Sequence, residues 1–135
     1  MDIFLNKDSC INRLLGEYEK HKSLIVAYDY DNTVYDFHKK GYTYDKVINL
    51  LRECKRLGFY LIVYSCSKES RYLEMKTYLN TNNIPFDSIN ENSPNIDFAH
   101  GKLYYNILLD DRAGLESAYI QLADTIKIIN ERGNV

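Results

Sequence analysis

Apolar residues follow two different spacings along this chain. Largely apolar runs, typical of strands buried on both faces, occupy residues 24–28, 59–64 and 106–109, and residues 86–89 are a candidate for a short third strand. Between and around them, apolar residues recur three or four positions apart, as in amphipathic helices; these stretches are residues 9–21, 44–57, 67–79 and 115–131. Because strands and helices alternate, we expect βαβ units with right-handed crossovers. The pattern predicts an α/β fold, a three-layer Rossmann-like domain with a central, mostly parallel sheet.

Polar and glycine residues mark where the helices begin and end. Ser9 is a candidate N-cap for the first helix and Ser67 for the third, because serine side chains accept hydrogen bonds from the first free amide groups of a helix. Gly58 is a plausible stop for the second helix. The cluster at residues 80–85 is expected to end the third.

Length and composition favour one ordinary globular domain. A chain of 135 residues with 45% hydrophobic residues is long enough to bury a core by itself. We divide it into an N-terminal covering helix (1–23), a core that carries the candidate site (24–114) and a C-terminal helix (115–135). The net charge of −2 argues against broad electrostatic capture of nucleic acid.

Two further features concern the cellular location. The three cysteines, Cys10, Cys54 and Cys66, lie far apart without a paired spacing, so neither a disulfide framework nor a zinc site is indicated. No apolar run approaches the roughly 18 residues of a membrane span, and no leader-like segment opens the sequence. We therefore expect a cytoplasmic protein with no membrane partner.

Carboxylates follow the first and the last strand. Asp29 and Asp31 lie at the end of the first apolar run, and Asp110 and Asp111 end the last one. In an open parallel sheet the carboxyl ends of the strands share one edge, where ligands bind. Ser65 follows the second strand and is expected at the same edge.

These features together resemble the haloacid dehalogenase superfamily of phosphotransferases. The resemblance covers about residues 24–114, and it depends on the order and strand placement of four motifs. They are Asp-x-Asp-x-Thr at residues 29–33, Ser65 after the second strand, Lys102 before the last strand, and Asp110-Asp111 after it.

The resemblance implies a role for each of these residues. Asp29 would be the nucleophile that is transiently phosphorylated, and Asp31 the general acid and base. Mg²⁺ would be held by Asp29, the Asp31 carbonyl, Asp110 and Asp111.

The same resemblance assigns the substrate's phosphate to other residues. Ser65 would hydrogen-bond a phosphoryl oxygen, with Cys66 beside it in the same loop, and Lys102 would offset negative charge between the nucleophile and the phosphate. The chemistry requires such groups, because a carboxylate that attacks a phosphate is repelled by it unless cations reduce that repulsion. Thr33 is expected to have a structural role as a turn or metal-side hydroxyl.

We expect a magnesium-dependent phosphomonoester hydrolase that acts through an aspartyl phosphate. The segments 31–43 and 90–101 are too short for an inserted lid, so the cap is minimal or absent and the site is open. Nucleotides, nucleic-acid ends and phosphoproteins are all candidate substrates.

Three alternatives stay open. A response-regulator receiver uses similar groups in another order, with the acidic pair early and the lysine last. Here a pair with DxD spacing comes first and Asp110-Asp111 comes last, which disfavours this alternative. A non-catalytic binding module with the same site, or a transferase that passes phosphate to an acceptor other than water, also fits the sequence.

Several residues near the motifs have possible roles in binding the rest of the substrate. An aromatic group follows the first motif, and some of its members are candidates for stacking on a planar leaving group: Tyr35, Phe37, Tyr42 and Tyr44. Lys68 and Arg71 are candidates for contacting a second anionic group. The histidines are dispersed and are not expected to bind metal; they are His21, His38 and His100.

Overall fold

The four predicted strands form one parallel sheet. In a computed structural model, which describes residues 1–98 and 101–133, the strands lie in the order β3-β2-β1-β4 and all neighbouring pairs are parallel. The strands are β1 (Ile25–Tyr28), β2 (Tyr60–Val63), β3 (Ser88–Ile89) and β4 (Ile107–Leu109). Helices flank this sheet, so the predicted α/β, Rossmann-like fold is confirmed.

Four helices accompany the strands. They are α1 (Lys7–His21), α2 (Asp45–Arg56), α3 (Tyr72–Thr81) and α4 (Leu115–Gly133), with short 3₁₀ turns at Ile3–Leu5 and Glu69–Arg71. Across residues 1–98 and 101–133, no helix combines the length and the apolar character that a membrane crossing requires. Residues 29–44 contain no helix, and their one strand-like contact is an isolated bridge between Asp31 and Tyr35. No cap domain is therefore inserted between β1 and α2.

Two of the predicted helix caps are wrong. The first helix begins at Lys7 because the Asn6 side chain, not that of Ser9, is the cap: Asn6 Oδ1 accepts a hydrogen bond from the Ser9 amide at 3.1 Å. Ser67 does not cap α3, since a 3₁₀ turn separates the two and the Ser67 hydroxyl instead accepts a hydrogen bond from Arg71. Gly58 does end α2 as predicted, with φ of +80°, a conformation that favours glycine.

The main core lies between one face of the sheet and the helices. Alternate strand residues such as Val26 and Leu61 point into it, as the period-2 geometry of strands requires. All four helices contribute buried side chains to this core, among them Leu14, Leu51, Met75 and Leu122. Ala27 and Ile62 on the opposite face are also fully buried, which explains why the strands are continuously apolar.

A buried asparagine joins the start of β4 to its neighbours. Asn106 Oδ1 accepts a hydrogen bond from the Ile25 amide at 2.6 Å, and Asn106 Nδ2 donates to Glu17 Oε1 of α1 at 2.6 Å. Arg13 Nη1 donates to the Asn106 carbonyl at 3.0 Å. The amino edge of the sheet is thus tied to α1 by polar contacts.

Replacing Asn106 with alanine is expected to lower the free energy of unfolding by about 2 to 3 kcal/mol, because the Ile25 amide loses its partner and the Glu17 carboxylate loses one of its two donors, the other being Arg13. Urea denaturation of the two proteins measures this difference. Asn80→Ala, at an exposed position of α3, is the control and is expected to change stability little. Equal stabilities of the Asn106 and Asn80 variants would show that the buried network contributes nothing.

Candidate functional site

Strand pairing places three aspartates together at the carboxyl edge of the sheet. Tyr28 and Leu109 are the last paired residues of β1 and β4, and the Asp29 amide continues the ladder by donating to the Leu109 carbonyl at 2.8 Å. Asp110 and Asp111 follow Leu109 directly. One carboxylate oxygen from each of Asp29, Asp110 and Asp111 lies within 4.8 Å of the others. We call these three residues the carboxylate triad.

The crowding of the triad changes the acidity of Asp29. Its pKa rises from 3.8 to about 7, first because the half-buried carboxylate has lost part of its hydration, then because of a hydrogen bond with Asp111 and the charge of Asp110. The Tyr30 amide opposes this rise. Without a cation, Asp29 is therefore only partly ionised near neutral pH. A divalent cation would replace the proton and relieve the repulsion among the carboxylates.

Thr33 orients one member of the triad. Its side chain is fully buried; the Thr33 hydroxyl accepts a hydrogen bond from the Asp111 amide at 3.2 Å and donates to Asp111 Oδ1 at 3.4 Å. A tight turn holds this hydroxyl in place, because the Tyr30 carbonyl accepts hydrogen bonds from the amides of Thr33, Val34 and Tyr35. The contact agrees with the structural role expected for Thr33.

Asp31 lies outside the carboxylate triad and has a cationic partner. Arg71 Nη1 donates to Asp31 Oδ2 at 2.9 Å, and Arg71 Nη2 donates to Asp31 Oδ1 at 2.9 Å, so the pair is bidentate. Arg71 Nη1 also donates to the Ser67 hydroxyl at 2.8 Å. The Asp31 carboxylate is therefore directed at Arg71, while a metal contact through its carbonyl stays a prediction.

The loop after β2 is fixed by an asparagine that the sequence analysis missed. Asn90 Oδ1 accepts a hydrogen bond from the Ser65 amide at 2.9 Å, and Asn90 Nδ2 donates to the Ser65 carbonyl at 2.6 Å and to the Tyr72 hydroxyl at 2.7 Å. The Ser65 hydroxyl accepts from the Ser67 amide at 3.1 Å. Ser65 is half-buried and Cys66 is exposed. Asn90 directly follows β3, so a polar residue at a strand end was the signal that would have found it.

Lys102 lies on the connection that leads into β4. The side chain is exposed, and the Lys102 carbonyl accepts a hydrogen bond from Asn92 Nδ2 at 3.2 Å. Within residues 1–98 and 101–133, no ion pair or hydrogen bond of the Lys102 ammonium is found. Its role toward a phosphate stays a prediction. His100 lies outside the described residues.

Aromatic rings surround the Arg71 guanidinium. Its carbon lies 5.3 Å from the ring centre of Tyr30, 5.9 Å from that of Tyr35 and 5.8 Å from that of Phe37. The Tyr30 and Tyr35 rings stack with centres 5.0 Å apart, and the Tyr78 ring packs edge-on against both. Tyr30, Tyr35 and Tyr78, together with Leu73, line an open groove of about 670 Å³.

The predicted aromatic group therefore divides. Tyr35 and Phe37 lie beside Arg71, whereas Tyr42 is exposed and Tyr44 half-buried. Tyr30 and Tyr78, which the sequence analysis did not single out, take part instead. Tyr78 lies in α3, which begins directly after Arg71, but only the folded chain brings it against Tyr30 and Tyr35.

A second cavity lies at the opposite, amino edge of the sheet. It has a volume of about 460 Å³ and is lined by the starts of the strands and by residues of the connection before β4, including Ile25, Tyr60 and Tyr104. Two of its polar side chains already have partners: Asp87 Oδ2 accepts from the Leu61 amide, and Asn106 is bonded as described above. We therefore assign the candidate functional site to the carboxyl edge of the sheet, where the carboxylate triad lies.

Comparison with known proteins supports the fold. No protein-family model matches this sequence, and no curated protein matches it. A solved structure from Bacteroides thetaiotaomicron, described as that of a conserved protein coded by a locus, aligns with a TM-score of 0.59 and 18% sequence identity. The alignment covers 82% of this chain and 92% of the other. At this identity the similarity shows a shared fold and says nothing about activity.

Mg²⁺ is expected to raise the melting temperature, and to do so more strongly as the pH increases from about 5 to about 8. The pKa of Asp29 in the folded chain, about 7, exceeds its ordinary value of 3.8, so its contribution to stability is present below the lower value and is lost as the pH rises through the higher one. A cation restores that stability at high pH and competes with the proton at low pH.

Thermal unfolding with Mg²⁺ or EDTA measures this effect. Asp110→Asn is expected to remove most of the Mg²⁺-dependent rise, whereas Asp97→Asn, at an exposed position outside the triad, should retain it. An equal rise in both variants would place the cation elsewhere.

Proposed function

We propose that this chain is a magnesium-dependent phosphomonoester hydrolase of the haloacid dehalogenase type, with Asp29 as its nucleophile. The observation that carries the proposal is the carboxylate triad, in which the end of β1 meets the end of β4 and three carboxylate oxygens lie within 4.8 Å of one another. The Rossmann-like fold puts this cluster where parallel α/β sheets bind their ligands.

The donor set of the triad suits Mg²⁺. Mg²⁺ prefers oxygen ligands and keeps several waters, so a few carboxylates on one side serve it better than a closed cage. Asp29, Asp110 and Asp111 would hold the ion, with the Asp31 carbonyl as a further ligand. When bound, Mg²⁺ would offset the negative charge of the phosphoryl group.

Asp29 would attack phosphorus directly. One oxygen of the Asp29 carboxylate forms a bond to phosphorus as the bond to the leaving oxygen breaks, and the leaving oxygen takes a proton from Asp31. Water then gives a proton to Asp31 and attacks phosphorus, which breaks the bond to Asp29 and releases inorganic phosphate. The raised pKa of Asp29 matters here, because the nucleophile has to lose its proton before it attacks.

The loop after β2 would receive the phosphoryl group. Asn90 fixes the backbone of Ser65 on both sides, so the Ser65 hydroxyl is held at a defined place beyond the end of β2. Cys66, beside it, is exposed to solvent. We assign Ser65 a hydrogen bond to a phosphoryl oxygen and Cys66 a place in the same loop.

The open site suits large phosphorylated substrates. Residues 29–44 form no lid, and the aromatic groove beside Arg71 leaves space for a leaving group. We therefore propose nucleotides, phosphorylated nucleic-acid ends or phosphoproteins as substrates. We also propose a cytoplasmic location, because Cys10, Cys54 and Cys66 are free thiols, the state favoured in reducing compartments.

Asp29→Asn is expected to abolish Mg²⁺-dependent phosphate release, by about a thousandfold or more, since an amide is a poor nucleophile. Asp31→Asn should lower the turnover of alkyl phosphates by about a hundredfold or more but that of p-nitrophenyl phosphate much less, because nitrophenolate leaves without a proton.

A phosphate-release screen with nucleotides, phosphorylated oligonucleotides and p-nitrophenyl phosphate, with Mg²⁺ or EDTA, tests both expectations. Asp97→Asn is the matched control. If wild type and Asp29→Asn released phosphate equally, the proposed mechanism would be wrong. Phosphate transfer to an added alcohol instead of water would identify a transferase.

Lys102→Gln is expected to lower kcat/KM by about tenfold or more, because a cation near the phosphoryl group stabilises the spread charge of the transition state. Steady-state kinetics on one of the substrates found in the screen measures it. Lys127→Gln, an exposed position of α4, supplies the same change of charge away from the site. Identical kinetics for both lysine variants would remove Lys102 from the mechanism.

A further inference from the structure

We propose that Arg71 binds a second anionic group on the leaving group of the substrate, and that this group takes the place of Asp31 on the guanidinium. The inference rests on the proposed phosphatase function and specifies its substrates: phosphate monoesters whose leaving group carries a carboxylate or another phosphate. The observation behind it is that Arg71 forms a bidentate ion pair with Asp31, the residue proposed as the general acid.

The ion pair between Arg71 and Asp31 uses both oxygens of the carboxylate. Both contacts are 2.9 Å long, and the two side chains are 24% and 29% exposed. The two Arg71 nitrogens are therefore already arranged to bind an anion through two oxygens, and Asp31 occupies them in the free protein. An anion of the substrate can reach both donors only when this pair separates.

Separation needs a replacement for Asp31, because a partly buried guanidinium without an anion is unfavourable. A carboxylate or a phosphate on the substrate offers the same planar or tetrahedral oxygens to the same two donors. Once such a group binds Arg71, the Asp31 carboxylate is released from the guanidinium. A substrate without the second anion leaves the original pair intact.

Arg71 is held in place independently of Asp31. Its Nη1 donates to the Ser67 hydroxyl at 2.8 Å, and the rings of Tyr30, Tyr35 and Phe37 lie within 5.9 Å of its guanidinium carbon. These contacts keep the guanidinium at the site when its anion is exchanged. A groove lined in part by Tyr30 and Tyr35 lies beside these rings and leaves space for the rest of a substrate.

Two stable phosphonates separate the contribution of the second anion. Phosphonoacetate carries a phosphonate and a carboxylate, and ethylphosphonate has the same phosphonate with an uncharged tail. Calorimetric titration of the full chain at equal free Mg²⁺ is expected to show that phosphonoacetate binds about tenfold more tightly than ethylphosphonate. A charge-assisted hydrogen-bonded pair contributes a difference of this size.

Variants test the exchange of partners. Arg71→Gln is expected to remove the preference for phosphonoacetate, Arg71→Lys to restore part of it, and Lys76→Gln, an exposed charge on the same helix, to leave it unchanged. Asp31→Asn should increase the preference, because it removes the competing anion. A purely structural ion pair would not produce that increase.

The result overturns the proposal if wild type binds both phosphonates equally, or fails to bind phosphonoacetate, or if Asp31→Asn lowers the preference. Hydrolysis of 2-phosphoglycolate and ethyl phosphate is measured in parallel. If hydrolysis depends on Asp29 but the two phosphonates bind with equal affinity, the proposed role of Arg71 is wrong and the proposed phosphatase function is retained. The expected preference without any hydrolysis contradicts the phosphatase and leaves the anion site standing.

Discussion

The candidate site depends on the parallel pairing of β1 with β4. Because the pairing continues to the hydrogen bond between the Asp29 amide and the Leu109 carbonyl, the residues after Leu109 have to lie beside Asp29. The same backbone ladder that stabilises the sheet therefore forces three carboxylates into a small volume, against their mutual repulsion. Burial, the hydrogen bond with Asp111 and the charge of Asp110 together raise the pKa of Asp29, and a bound cation would offset the last of these effects.

The features that the sequence predicted are those that strand order and periodicity determine. Apolar runs located β1, β2 and β4, and the rule that parallel strands end at one edge placed Asp29 near Asp110 although they are far apart in sequence. No such rule connects Asp31 with Arg71. Their contact depends on the turn after β1 and on the 3₁₀ turn that precedes α3, and neither has a period that the sequence displays. The caps at Ser9 and Ser67 were predicted wrongly because several nearby polar residues compete for each helix start.

Some polar side chains contribute to the site by holding other site residues in place. Thr33 holds the backbone and the carboxylate of Asp111, and Asn90 holds both the amide and the carbonyl of Ser65. Each of these contacts joins the end of one strand to the loop of another, so the edge of the sheet is cross-linked by hydrogen bonds. Such supports are difficult to recognise in a sequence, because an asparagine or threonine in a loop is common and only its partner reveals its purpose.

The two aspartates of the first motif differ most in how their charges are balanced. Asp31 has a bidentate cationic partner within the chain, whereas Asp29 is surrounded by other carboxylates and by a single opposing amide. A charge that the protein has already neutralised exerts little pull on a ligand, while a cluster of unneutralised charges attracts a cation strongly. Two residues that are similar in sequence, two positions apart, are therefore suited to different tasks. We propose that Asp29 and its neighbours bind a metal ion, and that the pair of Asp31 with Arg71 exchanges one anion for another.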